Sequence, residues 1–333
     1  MRWLITAVLT GVTVAAGAQL SGAAFSAQSS NPGNQFTAAS SFERLRVASG
    51  TYTGNGTDNR DITGVGFQPN LVIVKRNGNS VAVARSSTMT GDATKPLAGG
   101  GTALSTNMLQ ALQAGGFQIG TNASVNTNGQ TYHWVAIKAA QGTMSVGTYT
   151  GNGASGRSIS GIGYSPEAVI ILAASNQSAV LRIAGMSTGF TFDSGAGVAN
   201  SITSLDAAGF TVSNSATTNT SGTAYHYISF NDVSGIADTG SYTGNGAAGR
   251  SITGAGLAPG FALVRSSSTS TARAGIWRTA AVTGNGSLRF NSAANDTTAI
   301  TALQADGFQV GTNVDANANA NPYAYLALED EGP

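Results

Sequence analysis

A seven-residue stretch occurs three times in this chain, and that repetition limits the fold more than anything else in the sequence. Gly50-Thr51-Tyr52-Thr53-Gly54-Asn55-Gly56 returns as Gly147 to Gly153 and, with Ser241 in place of threonine, as Gly240 to Gly246. An arginine stands four residues after the last glycine of each copy (Arg60, Arg157, Arg250), and Ile62, Ile159 and Ile252 then open an Ile-(Thr/Ser)-Gly-x-Gly step. Successive tyrosines lie 97 and 93 residues apart. A period that long describes a whole small module, not one turn of a solenoid. Three modules of about 90 residues fit a chain of 333, and each is long enough to bury a core.

Within a module the pattern is that of strands. Module one has candidates at 51–53, 61–63, 71–75, 81–85, 117–119 and 132–138, broken by Gly, Asn and Pro. Along the last of these, Tyr132, Trp134 and Ala136 point one way and His133, Val135 and Ile137 the other; with both faces largely apolar, this strand belongs in the middle of a sheet. The stretch from Met108 to Gln113 is too short for a stable helix and runs into Gly116-Phe117-Gln118-Ile119, so it reads as strand, turn, strand. The connectors 143–146 and 236–239 are short, which favours modules touching end to end. The expected fold is therefore all-β: three tandem antiparallel β-sandwich, jelly-roll-like modules in a rod, at 48–142, 145–235 and 238–330.

Arg2 and the apolar run from Trp3 to about Ala16, followed by small residues, have the layout of a secretory signal peptide over residues 1–23. The run is short for a membrane span, so no membrane association is expected after cleavage. Residues 24–47 form a Ser/Asn/Gly-rich N-terminal arm. A formal net charge of +1 gives no field to attract nucleic acid or an anionic membrane. With no cysteine there is neither a disulfide framework nor a thiolate metal site.

Several stretches imitate chemistry. Gly151 to Gly156 and Gly244 to Gly249 satisfy the dinucleotide spacing, but the arginine and strand that follow replace the helix such a loop needs. Gly185-Met186-Ser187-Thr188-Gly189 copies a nucleophile elbow, yet strand-like Phe190 to Phe192 follows it, and the only histidines, His133 and His226, occupy equivalent strand positions of two modules. Asn55, Asp58, Asn59 and Asp61 resemble an oxygen-rich Ca²⁺ loop that the other modules do not repeat. No catalytic, cofactor or metal residues are assigned. The pairs Tyr52/Arg60, Tyr149/Arg157 and Tyr242/Arg250 flank a Gly-Asn-Gly turn that would bring each guanidinium over its ring, either closing a hairpin or presenting weak glycan sites that add through avidity.

The repeats resemble tandem β-modules of phage tail-fibre and bacterial surface proteins. These share the Gly-x-Tyr-x-Gly-Asn-Gly opening, the Ile62 to Pro69 step, the Gly115 to Gly120 step and a closing aromatic strand such as Tyr132 to Trp134. Leu257, in place of Phe67 and Tyr164, and Ser213, in place of Gly120 and Gly311, depart from the pattern. The segment from Ala24-Phe25 to Phe36-Thr37-Ala38 resembles the start of mature TasA and camelysin-type matrix proteins. The first resemblance implies β-sandwiches displayed outside the cell with no activity attached. The second implies export and an arm that lends a strand to a neighbour, with Phe25 and Phe36 filling pockets. The resulting expectation is a secreted, non-enzymatic structural or surface protein, a filament or matrix subunit. Its expected partners are its own copies or cell-surface components; the alternative is a carbohydrate- or receptor-binding adhesin.

Overall fold

Leu71 and Ile73 face one way along their strand and Val72 and Val74 the other, and all four are buried. A strand apolar on both faces requires cover on both. That requirement, met three times over, organises the fold.

A computed structural model describes residues 43–98 and 101–329. The expected leader over 1–23 and the expected arm residues Phe25 and Phe36 lie outside the described residues. Module one comprises β1 (Arg46–Thr53), β2 (Arg60–Thr63), β3 (Leu71–Arg76), β4 (Val83–Ser86), β5 (Lys95–Pro96), β6 (Leu109–Gln113), β7 (Gly116–Ile119), one helical turn α1 (Ala123–Asn126) and β8 (Thr131–Lys138). Module two repeats this as β9 (Met144–Thr150), β10 (Arg157–Ser160), β11 (Ala168–Ala173), β12 (Val180–Ile183), β13 (Gly189–Thr191), β14 (Gly197–Val198), β15 (Ile202–Asp206), β16 (Gly209–Val212), α2 (Ala216–Asn219) and β17 (Ala224–Phe230). Module three follows as β18 (Ala237–Thr243), β19 (Arg250–Ile252), β20 (Pro259–Ser266), β21 (Ile276–Thr279), β22 (Leu288–Arg289), β23 (Ile300–Gln304), β24 (Gly307–Val310), α3 (Val314–Asn317) and β25 (Pro322–Glu329).

Every module is a sandwich of two antiparallel sheets. In module one the larger sheet runs β1-β8-β3-β4-β5 and the smaller β2-β7-β6. Modules two and three follow the same order, with one extra edge strand, β14, in module two. The strand at 131–138 is central, as its two apolar faces require, and 109–119 is a strand pair, as read from its length. One face of each large sheet packs on its own small sheet. In module one Val72, Val74, Tyr132 and Trp134 meet Ile62, Leu109, Phe117 and Ile119.

The opposite faces of the three large sheets do not lie in separate beads. Leu71, Ile73, Val135 and Ile137 of module one, Ile170, Leu172, Phe190 and Phe192 of module two, and Leu263, Trp277, Phe290 and Leu326 of module three form one continuous core. The sandwich class is the expected one, but the end-to-end rod is not the arrangement. Short connectors permit a rod; the second apolar face of each large sheet forbids it, because a bead would leave that face in water.

Contacts run from module one to two, two to three, and three back to one. The Ala82 amide donates to Phe290 O at 2.9 Å and Gly275 N donates to Phe192 O at 3.1 Å. At the remaining junction Leu104 N donates to Ala174 O at 3.2 Å. Phe192 and Phe290 meet edge to face in the shared core, 4.7 Å between centroids. The described residues from Arg44 to Glu329 belong to one compact unit.

Candidate functional site

The repeated seven-residue stretch supports the fold with nearly every residue it contains. The Tyr52 ring stacks on Tyr132 at 5.1 Å and its hydroxyl donates to Val125 O at 2.7 Å. The Arg60 guanidinium lies over the other side of Tyr52, 5.4 Å from the centroid, and donates to Thr53 O. Modules two and three repeat this: Arg157 over Tyr149 at 5.1 Å and Arg250 over Tyr242 at 5.3 Å, with the hydroxyls on Thr218 O and Ala316 O. Burial pushes all three phenols up, and the neighbouring tyrosine adds to it against a smaller opposing effect of the arginine, so they remain neutral donors.

The sequence reading of these pairs is right about their geometry and wrong about the hairpin. β1 pairs with β8, and β2 pairs with β7 in the other sheet. The Gly-Asn-Gly segment is therefore a crossover from one layer of the sandwich to the other. Its conformation is set by a residue the sequence reading missed, Asn126, which is fully buried. Asn126 Oδ1 accepts from Asn55 N at 2.9 Å and Gly56 N at 3.2 Å, while Nδ2 donates to Thr57 O and Gly120 O at 2.7 and 2.9 Å. Asn219 and Asn317 perform the same task in the other modules. Their recurrence at near-modular spacing is the signal that would have revealed them.

Two glycines of the stretch are explained by close approach. A Cβ on Gly54 would sit 2.2 Å from Thr127 O, and one on Gly50 would sit 2.5 Å from the Trp134 ring. Tyr227 and Tyr325 cover Gly147 and Gly240 in the same way.

A second repeated residue also went unread. Arg85 and Arg278 each donate to four backbone carbonyls, gathering the loops 89–93 and 282–286 around a guanidinium with no carboxylate partner among these contacts. Arg182 holds Ile202 O at 2.8 Å. Burial lowers the pKa of all three.

The residues that imitated chemistry are separated by the fold. Asp58 accepts from Gln110 and Asp61 from Gln113 and Gln118, so the oxygen-rich loop is engaged with the small sheet. Among the described residues no group of three or more His, Asp or Glu is placed to hold a metal ion. Strand β13, not a helix, follows Ser187.

The histidines, by contrast, lie at junctions. His133, His226 and Ala324 are equivalent, paired in register with Thr51, Thr148 and Ser241. His226 Nδ1 is 2.9 Å from Thr88 Oγ1 of module one. At the junction of modules three and one, Ala281 stands where Thr88 does, and His133 Nδ1 is buried with no hydrogen-bond partner. A cleft of about 400 Å³ opens there, lined by Thr51, Asn77 and His133 on one side and by Ser287, Asn295 and Asp296 on the other. Asn295 Nδ2 donates to Asn77 Oδ1 at 2.5 Å across the junction, leaving Asn295 Oδ1 buried and unpartnered. Asp296 is already engaged by Thr298 N, Arg289 and Asn313. Burial pushes its carboxyl up, but the Thr298 and Arg289 hydrogen bonds outweigh that and hold it below the usual carboxylate range. Burial lowers the pKa of His133, favouring its neutral form.

Fold and cleft together define an all-β protein of three internally repeated sandwiches fused through one core. The chain belongs to the family described as Domain of unknown function (DUF7483), whose model matches residues 46–329, across all three modules. No curated protein and no solved structure matches it.

Proposed function

We propose that this chain is a secreted, non-enzymatic surface protein: a rigid head of three fused sandwiches, which takes in Leu45 and Val47 of the expected arm, preceded by an arm from residue 24 to 43, that serves as a subunit of an extracellular filament or matrix. The observation that carries the reading is the use of the repeated polar residues. Tyr52, Arg60 and Asn126, with their counterparts, bond to the backbone of their own module, which suits a part selected for rigidity. A chain with 9% charged residues and no cysteine achieves that rigidity by packing and buried hydrogen bonds. β1, β9 and β18 are outermost in their sheets, and an outermost strand is what an extended arm bearing Phe25 and Phe36 would pair with.

The test is electron microscopy and size-exclusion chromatography of the protein beginning at residue 24, beside a form lacking 24–38. Filaments from the first and folded monomers from the second are expected. Monomers from both, or filaments from both, overturn the role given to the arm.

A further inference from the structure

We propose that the cleft between modules three and one binds a neutral saccharide, held through its hydroxyls by His133 and Asn295. This goes beyond the structural role and does not depend on it.

The internal repeat supplies the comparison. At the one–two junction Thr88 occupies the histidine, and at the two–three junction Gly185 and Ala324 leave no histidine to occupy. Only at the three–one junction does a histidine face a residue, Ala281, too small and too apolar to meet it. A buried polar atom without a partner costs on the order of 1–3 kcal/mol. The two residues that carry such atoms, at His133 Nδ1 and Asn295 Oδ1, line the same cleft. A volume of about 400 Å³ lies within the ordinary range for small-molecule sites.

The chemistry of the lining selects the ligand class. The charged groups at and beside the cleft are already engaged: Asp296 pairs with Arg289, and the Lys75 ammonium, outside the lining, is bonded by the carbonyls of Gly78, Ser80, Asn291 and Ala293. An ion entering would lose hydration and meet no uncommitted charged side chain in the lining. A hydroxyl both donates and accepts, so it meets His133 Nδ1 in either tautomer and donates to Asn295 Oδ1. The hydroxyl of Thr51 extends the polar surface, and Ala281 with Val282 offers an apolar patch for the C–H face of a sugar ring.

The test uses the described unit with its arm, from residue 24 to the end. Neutral, uronic and sulfated oligosaccharides are titrated while the imidazole ¹⁵N resonances of His133 and His226 are followed. A neutral sugar is expected to shift His133 and not His226. His133→Ala and Asn295→Ala should each weaken binding about five- to tenfold or more, the loss of one buried hydrogen bond. Ala281→Thr installs the hydroxyl that Thr88 provides at the other junction; it should abolish binding without lowering Tm. It also keeps the idea testable if His133→Ala fails to fold. His226→Ala should leave affinity within twofold. Failure of every neutral sugar to move His133, binding only of the anionic panel, or undiminished binding by Ala281→Thr would each overturn the assignment.

Discussion

An isolated module two, residues 145–235, should not fold. Cutting it from its neighbours bares the face bearing Ile170, Leu172, Leu181, Ile183, Met186, Phe190, Phe192, Ile228 and Phe230, all members of the shared core. Full burial of a side chain of this size stabilises by about 1.5–3 kcal/mol. Taking about half of each side chain's cover to come from modules one and three, the cut forfeits on the order of 7–13 kcal/mol. That equals the whole stability of an ordinary domain, about 5–15 kcal/mol. The module keeps its outer core of Ile159, Tyr164, Val169, Phe210 and Tyr225, so residual strand content with exposed apolar surface is expected. Circular dichroism with urea, dye binding to apolar surface and an amide NMR spectrum would read this, with residues 44–329 as the control. The control should unfold in a single transition with a steep denaturant slope, because all three modules expose their inner faces together. A monomeric 145–235 fragment with a sharp melt and dispersed amides would refute the argument, since each sandwich would then be sufficient by itself.

Tyr149→Ala should destabilise by about 3–5 kcal/mol, as for other buried aromatics, and Tyr149→Phe by about 1 kcal/mol for the lost bond to Thr218 O; an unchanged melt in the alanine variant would restore the idea of a displayed ring. Asn219→Ala strands the Asn152 amide and Ala154 O and should cost about 2–3 kcal/mol by urea denaturation; a cost below 0.5 kcal/mol, roughly that of a surface change, would show that the crossover holds itself. Burial lowers Lys75 and Lys95 to about 8, below their unfolded value, so between pH 8 and 10 the unfolded chain carries more protons than the folded one. Stability should therefore rise with pH across that window and fall above it, where tyrosines ionise in the unfolded chain first. Lys75→Met should flatten the rise, and a rise of unchanged slope in that variant would remove Lys75 as its source.

How much of this was legible in the sequence depends on the range of the interaction. The strands were legible because alternation is local: Tyr132 to Lys138 carries its two apolar faces in plain order. The tyrosine and arginine were legible as a pair because eight residues and a tight turn separate them. The same Asn-Gly wording misled on the hairpin, since turn chemistry reports a change of direction and not which sheet the next strand joins. The shared core was present in the sequence as the uninterrupted runs Leu71 to Val74 and Ala168 to Ala173, which say that a strand is covered twice without saying by what. The cleft was beyond reach. That Thr88 meets His226 while Ala281 leaves His133 open depends on residues 138 apart in one case and 148 in the other.

Fusing three like modules into one chain changes what substitution can do. In a trimer of separate subunits a change at a junction appears three times; here each junction is encoded separately, and the three have diverged. Lys75, Leu172 and Arg265 are equivalent, paired with His133, His226 and Ala324. At the three–one junction Lys75 caps carbonyls of Asn291 and Ala293, and at the two–three junction Arg265 caps Thr191 O and Gly195 O. At the one–two junction Leu172 cannot donate, and Lys95 reaches Ser175 O from the other side instead. Each junction thus pairs carbonyls of the neighbouring module, because an unpaired buried one is costly, yet each does so with different atoms. Against that background His133 and Asn295 each keep an unpartnered buried atom beside one and the same cleft. A chain that found three separate ways to pair the carbonyls at its junctions had a fourth within one substitution, a threonine at Ala281. At the two–three junction no histidine needs one, so a histidine left without it here is what a site kept open for a hydroxyl from outside would require.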